Sequence, residues 1–306
     1  MKQHCPLPIQ NGIKPSYLVL PHNPQYAGQT LLFFLCQHFP FVSQQAWQAR
    51  LNSGMVVNQH GTPLNEHSPF QAGATIFYYR EISRDEETPI PFHEHILHLD
   101  EHLLVVDKPH FLPVTPSGRF LRETLLTRLR LHPKLQHLNL AALTPIHRLD
   151  KDTAGVMLFS HNPQSRALYQ QMFERKTIHK TYHALAPTRL DWDYPLEIQS
   201  RLVRGDDFFL TKEENGEPNA HTIVHLLENR GANSLYQLHA ITGKKHQLRV
   251  HMMKMGMPIL NDMLYPQVLP VGSEDYRKPL QLLAKQITFS DPISHQTRVF
   301  ISQQNL

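Results

Sequence analysis

Between residues 93 and 301 the chain repeatedly alternates short apolar runs with turn residues, and this pattern limits the fold more than any other feature. Ile96-Leu97-His98-Leu99 and Leu103-Leu104-Val105-Val106 flank Asp100-Glu101 and predict a strand hairpin. Further strands are predicted at Val156–Phe159, Tyr182–Ala186, Ile223–Leu227, Leu235–Ile241, Leu282, Ile287–Phe289 and Arg298–Ile301. One helix is expected to start with Asn162 as cap and Pro163 at its first position, burying Leu168 and Met172. A second runs from Gln247 to Met255 and stops at Gly256, with Leu248, Met252 and Met255 toward the core. Strands outnumber helices and come in runs, so the expected fold is α+β with a mostly antiparallel mixed sheet.

The N-terminal part reads differently. Residues 1–27 are rich in Pro, Gln, Asn and Gly and predict an irregular arm. From Thr30 the pattern is helical: Leu31–Leu35 opens one helix, and Ser43 caps a second through Trp47 and Leu51 to Gly54. Met55–Asn58 and Thr75–Tyr79 read as strands, with a turn at Gln59-His60-Gly61. Two helices and a hairpin make residues 28–80 a small appended unit. Its order resembles the alpha-L RNA-binding module known from a small-subunit ribosomal protein, mainly over Ser43–Gly61 and Gly73–Ile76. The resemblance is degenerate. Gln44, Gln45 and Gln48 stand where more charge would serve RNA, and only Arg50 is nearby. Weak RNA binding and plain packing are both open readings of it. Residues 81–92, charged and holding Pro89 and Pro91, predict a linker, which leaves residues 93–306 as the main domain.

Composition narrows the function class. A chain of 306 residues that is 41% apolar can bury a core, which excludes general disorder. The net charge of +4 suits a polyanionic partner. The 22 His are scattered, and with two Cys no Cys-x-x-Cys or His-Glu-x-x-His pattern occurs. No metal site is therefore expected, and a His-based metal hydrolase is the weakest alternative. Two Cys make no disulfide framework, the start lacks a signal-peptide pattern, and no stretch reaches the ~20 apolar residues of a membrane span. The expectation is a soluble cytoplasmic protein, monomeric and without a membrane partner.

Two polar segments stand against apolar ones. Ile146-His147-Arg148-Leu149-Asp150-Lys151-Asp152-Thr153-Ala154-Gly155 runs straight into the strand at Val156. Alone it reads as a solvated turn in which Asp152 or Thr153 caps locally. Thr242-Gly243-Lys244-Lys245-His246-Gln247-Leu248-Arg249-Val250-His251 joins a strand to a helix and crowds cations at that helix's start, where backbone N–H groups favour an anion.

Together these segments resemble the RluA-type pseudouridine synthases. Four patches match in order: Leu103–Pro109 with Leu112-Pro113-Val114, His147–Leu158, Lys180-Thr181-Tyr182, and Thr242–Tyr265. A tail pattern at Leu283-Ala284 and Phe289–Pro292 extends the resemblance over residues 93–303. The resemblance implies a catalytic domain with a central active-site cleft that isomerises uridine to pseudouridine in structured RNA with no cofactor; the appended N-terminal unit favours ribosomal RNA over transfer RNA. It makes Asp150 the nucleophile, Arg249 the cation that holds it ionised through a two-pronged hydrogen bond, and Tyr182 the aromatic under the target base. Arg148 would fill the gap left by the flipped base. His147, Lys108, Lys180, Lys244 and His246 complete the expected substrate contacts. Whether Asp150 attacks sugar or base is open from the sequence. Two positions depart from the family pattern: Lys244-Lys245 replace Arg-Thr, and Asn261 replaces Gly before Asp262, at a turn where Asn tolerates left-handed backbone. The alternative is an RNA-binding folding or ribosome-assembly factor whose catalysis is incidental or absent.

Overall fold

The computed structural model describes residues 5–80, 87–270 and 272–306. The chain divides into two units, Met1–Thr88 with Gly118–Arg122, and Pro89–Ser117 with Glu123–Leu306.

In the first unit β1 (Ser16–Val19) precedes α1 (Leu31–His38), α2 (Gln44–Asn52), β2 (Val56–Asn58) and β3 (Thr75–Tyr78). Thr30 and Ser43 cap the two helices, their hydroxyls accepting from Phe33 N and Ala46 N. The strands form a sheet in the order β1-β3-β2, antiparallel throughout. The stretch read as an irregular arm thus supplies an edge strand, with Leu18 opposite Ile76. Its Pro- and Asn-rich flanks hide a four-residue strand whose partner lies some sixty positions away. Trp47, Phe34 and Leu35 fill the core beneath. Of the expected linker, residues 81–86 lie outside the described residues. Glu87 is buried and accepts from the N–H groups of Leu121 and Arg122, so that end of it is tied down.

The second unit runs β4 (His95–Leu99), β5 (Leu103–Lys108), α3 (Leu125–Leu131), β6 (Thr144–Pro145), β7 (Ala154–Ser160), α4 (Arg166–Glu174), β8 (His179–Pro187), β9 (Leu196–Arg204), β10 (Thr211–Glu214), β11 (Ala220–Arg230), β12 (Asn233–Ala240), α5 (Gln247–Lys254), β13 (Leu282–Ser290) and β14 (Thr297–Ile301). Its strands form one sheet in the order β10-β9-β11-β12-β8-β13-β7-β5-β4, with β14 on β13 and β6 on β7. Only the β13–β7 pairing is parallel among the described residues, so the sheet is mixed and mostly antiparallel. The expected helix at Asn162-Pro163 begins later. Asn162 spends its Oδ1 on Gln164 N, Ser165 takes the cap position, and Tyr169 with Met172 is buried while Leu168 is exposed. None of the helices among the described residues is long and apolar enough to cross a membrane.

Strand β13 brings the two polar segments together. Ala284 pairs with Tyr182 of β8 on one side and with Gly155 of β7 on the other. A side chain at Gly155 could not be accommodated: φ is +115°, and an added Cβ would sit 2.2 Å from the Ala284 carbonyl oxygen. β12 lies on the other side of β8, with His239 opposite Thr181, so the loop entering β7, the middle of β8 and the loop leaving β12 meet at one place.

Candidate active site

Asp150, Arg148, His147, Tyr182, Lys180, Lys244, His246 and Arg249 all line one cavity of about 340 Å³. That is within the size range of small-molecule sites. Lys108 does not line it.

The Asp150 loop is built from behind. Lys108, fully buried at the end of β5, donates from Nζ to the carbonyl oxygens of Pro109, Leu112 and Lys151, each at 2.9 Å. It fastens the segment just after Asp150 to the segment after β5, and the expected RNA contact is corrected to this internal role. Burial pulls its ammonium down to about 7, against the opposing charges of Asp152 and Asp150. His110 Nδ1 lies 2.7 Å from the Asp152 carbonyl oxygen and holds the same loop. His147, expected at the substrate, accepts from the Leu158 N–H through Nε2 at 3.0 Å and stacks on Phe173. Burial, with the charge of Lys180 adding to it, lowers its imidazole to about 3, which keeps Nε2 an acceptor. Arg148, between these two anchored positions, is exposed.

The opposite wall is α5 and the loop before it. Gln247 organises this loop: its Oε1 accepts from Thr242 Oγ1 at 2.6 Å and Lys244 N at 3.0 Å. Its Nε2 donates to the His221 carbonyl at 2.8 Å and to Thr222 Oγ1 at 3.0 Å. His246 caps α5 in the left-handed region, with φ at 54°. Arg249, only 2% exposed, points its Nη1 at Asp150 Oδ2 from 3.5 Å. The two-pronged pairing expected between them is made elsewhere. Nε and Nη2 of Arg249 bind the two oxygens of Asp262 at 2.7 and 2.6 Å. Burial opposes the Arg249 charge, but the Asp262 hydrogen bonds and the charges of Asp262 and Asp150 outweigh it and raise the group. Asp262 sits in a turn where Asn261 has φ 61°, and its Oδ1 also takes the N–H groups of Leu264 and Tyr265. The replacement of Gly by Asn has kept the left-handed turn.

Tyr182, on β8 beside Ala284, has its phenol raised by burial and by the Asp150 charge. It stays protonated at neutral pH and offers a ring face and a donor. Lys180 is partly buried, with Nζ 3.4 Å from the Thr242 carbonyl oxygen, and burial with nearby Lys176 lowers its ammonium. Lys244 is exposed at the same loop. Lys176 and Lys245 also line the cavity, so five lysine and arginine side chains besides Arg249 surround one carboxylate: Arg148, Lys176, Lys180, Lys244 and Lys245. Such a site attracts an anionic ligand.

The sequence reading missed Asp262 as the partner of Arg249, and Tyr265 and Gln247 as the residues that fix His246 and its loop. Asp262 and Tyr265 stood inside the matching segment, but their partners lie across loops and strands. Among the described residues no group of three or more His, Cys, Asp or Glu is placed to hold a metal ion.

The family described as RNA pseudouridylate synthase matches residues 102–254. An uncharacterised RNA pseudouridine synthase of Synechocystis is 28% identical, covering 81% of this chain and 83% of its own. The ribosomal large subunit pseudouridine synthase D of Xanthomonas campestris is 27% identical over 88% of this chain and 83% of its own. Among solved structures, human RNA pseudouridylate synthase domain containing 4 is similar with a TM-score of 0.54 and 27% identity, covering 69% of this chain and 88% of that one.

Proposed function

The chain belongs to the RluA-type RNA pseudouridine synthases, and from that premise we propose that Asp150 is the nucleophile that isomerises specific uridines of ribosomal RNA. One observation carries the reading: a lone carboxylate, held by a fixed loop, faces Arg249 at 3.5 Å in a cavity shared with Tyr182 and ringed by cations. In the reaction the carboxylate attacks the sugar C1′, and the bond to the base nitrogen breaks with its electron pair leaving on the uracil. The base turns, its C5 takes C1′, and the carboxylate leaves. The proton on C5 is then lost, and one returns to the ring nitrogen. No oxidant, energy source or metal enters that balance.

The surrounding residues take roles their positions support. Tyr182 stacks under the base and keeps its proton. Arg148, exposed beside Asp150, fills the gap in the RNA stack, where a guanidinium plane suits the neighbouring bases. Lys180 and Lys244 contact phosphates. The first unit, with its two capped helices and hairpin, is proposed to be an alpha-L-like module that adds RNA contact area. Ribosomal RNA is favoured because a relative covering most of the chain is named for the large ribosomal subunit.

The test is pseudouridine mapping, by chemical labelling and sequencing, in ribosomal and transfer RNA from cells with and without the gene. Sites lost in ribosomal RNA and restored by the wild-type gene but not by Asp150→Ala are expected. Loss confined to transfer RNA moves the substrate, and full restoration by Asp150→Ala removes the nucleophile. If Asp150→Ala also cures a growth defect of the deletion, the protein acts as a folding or assembly factor.

A further inference from the structure

Two nitrogens converge on the same oxygen of Asp150. Arg249 Nη1 lies 3.5 Å from Oδ2, and His246 Nε2 lies 3.8 Å from that same atom. The arginine carries a donor at all accessible pH values. The histidine carries one at Nε2 only in one of its two neutral tautomers, and burial pulls its imidazole down to about 4, so near neutral pH a tautomer must be chosen.

Tyr265 couples that choice to the direction of its own hydroxyl proton, and the Asp150 carboxylate decides between the two directions. Its buried hydroxyl accepts from Thr211 N at 2.9 Å and lies 2.9 Å from His246 Nδ1 and 3.1 Å from the Thr211 carbonyl oxygen. The hydroxyl has one proton to give. Given to the carbonyl, it forces the ring proton onto Nδ1 and turns the Nε2 lone pair toward the Asp150 carboxylate. Given to Nδ1, it leaves Nε2 as an N–H facing that carboxylate. The second arrangement sets a donor against an anion and follows the shorter of the two contacts. The groups that face His246 are Asp150, Arg249, Lys245, Asp262 and Tyr265, and of these only Asp150 offers an acceptor to Nε2. His246 also holds a positive φ of 54°, a conformation that non-glycine residues adopt where the surrounding structure requires it.

We infer that His246 is a positioning residue, locked by Tyr265 with its proton on Nε2, that together with Arg249 holds Oδ2 of Asp150 and so presents Oδ1 to the substrate. The inference rests on Asp150 being the nucleophile. At 3.8 Å the contact is electrostatic, and a small turn of the carboxylate closes it to a hydrogen bond. Tyr265 in turn ties β10, through Thr211, to the nucleophile.

The test separates the two ring nitrogens. A Gln at 246 can place its amide N–H near the Nε2 position, whereas Asn reaches only the Nδ1 position. RNA labelled with 5-tritiated uridine and taken from cells lacking the gene serves as substrate, and tritium release gives kcat and KM. His246→Asn is expected to lower kcat about a hundredfold, the scale of a misplaced reacting group, with KM within about twofold. His246→Gln is expected to recover at least about tenfold of that loss. Nitrogen NMR of the full-length protein labelled with 15N-histidine, assigned by the signal missing in His246→Gln, reports the tautomer directly. A proton on Nε2 in the wild type that redistributes in Tyr265→Phe supports the lock. A proton on Nδ1 in the wild type, or equal kcat for the Asn and Gln variants, overturns the inference and leaves Asp150 as nucleophile. An active Asp150→Ala overturns the underlying reading instead, and the NMR result is independent of it.

Discussion

Two buried cations flank the Asp150 loop, and they are held in opposite ways. Lys108 is wholly buried and bound to three carbonyl oxygens. Arg249 is as deeply buried but carries a two-pronged carboxylate partner in Asp262 and a second anion at 3.5 Å in Asp150. Burial dominates the first, whose ammonium falls to about 7. It is overcome in the second, whose guanidinium is raised. The difference matches their positions. Lys108 ties backbone to backbone; its ammonium serves all three carbonyls and its neutral amine can still serve two. Arg249 faces the cavity, where the proposed chemistry uses a permanent positive charge.

Removing the cavity-side cation is expected to have the largest effect. Arg249→Met strands Asp262 as a buried, unpaired carboxylate, a change that typically costs ~3–5 kcal/mol of stability. Activity should fall by about 10²–10³ or more, as when a fixed donor is lost from a reacting site. The pair Arg249→Met with Asp262→Leu sharpens the point. Replacing both charges removes the stranded anion, so urea melts should recover most of the stability while tritium release stays low. Recovery of activity along with stability would mean that Arg249 only holds the fold.

Lys108→Met should act on stability more than on chemistry and should do so in a pH-dependent way. In the folded protein its ammonium is depressed to about 7, and in the unfolded chain it is near the ordinary 10.5. Between these values the unfolded chain binds more protons, so wild-type stability gains from this group as pH rises from 7 toward 10.5. The methionine variant lacks that gain. At pH 7 it loses the donor to three carbonyls, a deficit of about 1–3 kcal/mol. From pH 7 to pH 9 the deficit should widen, by at most ~1.4 kcal/mol per pH unit. Paired urea melts at pH 7, 8 and 9 measure it. A deficit that does not change with pH removes the contrast with Arg249.

These two cations also mark what a sequence can convey. The strand runs of the second unit were legible because a buried strand is a short apolar run whatever its partner. The end of α5 was legible because Gly256 marks it locally. The cavity was legible through resemblance, which placed Asp150, Tyr182 and Arg249 on one wall set. What failed depended on distance in space. Asp107-Lys108 looks like a polar strand end, and nothing nearby says that Lys108 turns inward to the Lys151 carbonyl, 43 positions on. β9 and β10 were not predicted although Asn215-Gly216 marks a turn directly after β10, because both interleave polar residues where the other strands carry apolar runs; Thr211 of β10 nonetheless sets Tyr265. Arg249 was given to Asp150 when its fork belongs to Asp262, because both carboxylates lie within reach of one guanidinium and only the backbone decides which it grips.

The turn that supplies Asp262 gives the smallest expected effect and tests how the Arg249 clamp is built. Asn261 has φ 61°, where glycine pays no Cβ penalty, but its Nδ2 also donates to the Pro279 carbonyl at 3.0 Å. Asn261→Gly removes the steric cost, loses that exposed hydrogen bond and frees the unfolded chain, three terms each of about 0.5–1 kcal/mol and of mixed sign. The net change should stay within about 1 kcal/mol in urea melts, and kcat should stay within about twofold of wild type. Asn261→Ala keeps the Cβ and loses the hydrogen bond, so it should be the less stable of the two variants by about 1 kcal/mol. If Asn261→Gly instead lowers kcat tenfold at unchanged stability, the turn does more than hold a left-handed backbone. The Asn side chain would then belong to the clamp, which would extend through Asp262 to Pro279, and Arg249 would be held by a side-chain network where Lys108 is held by backbone alone.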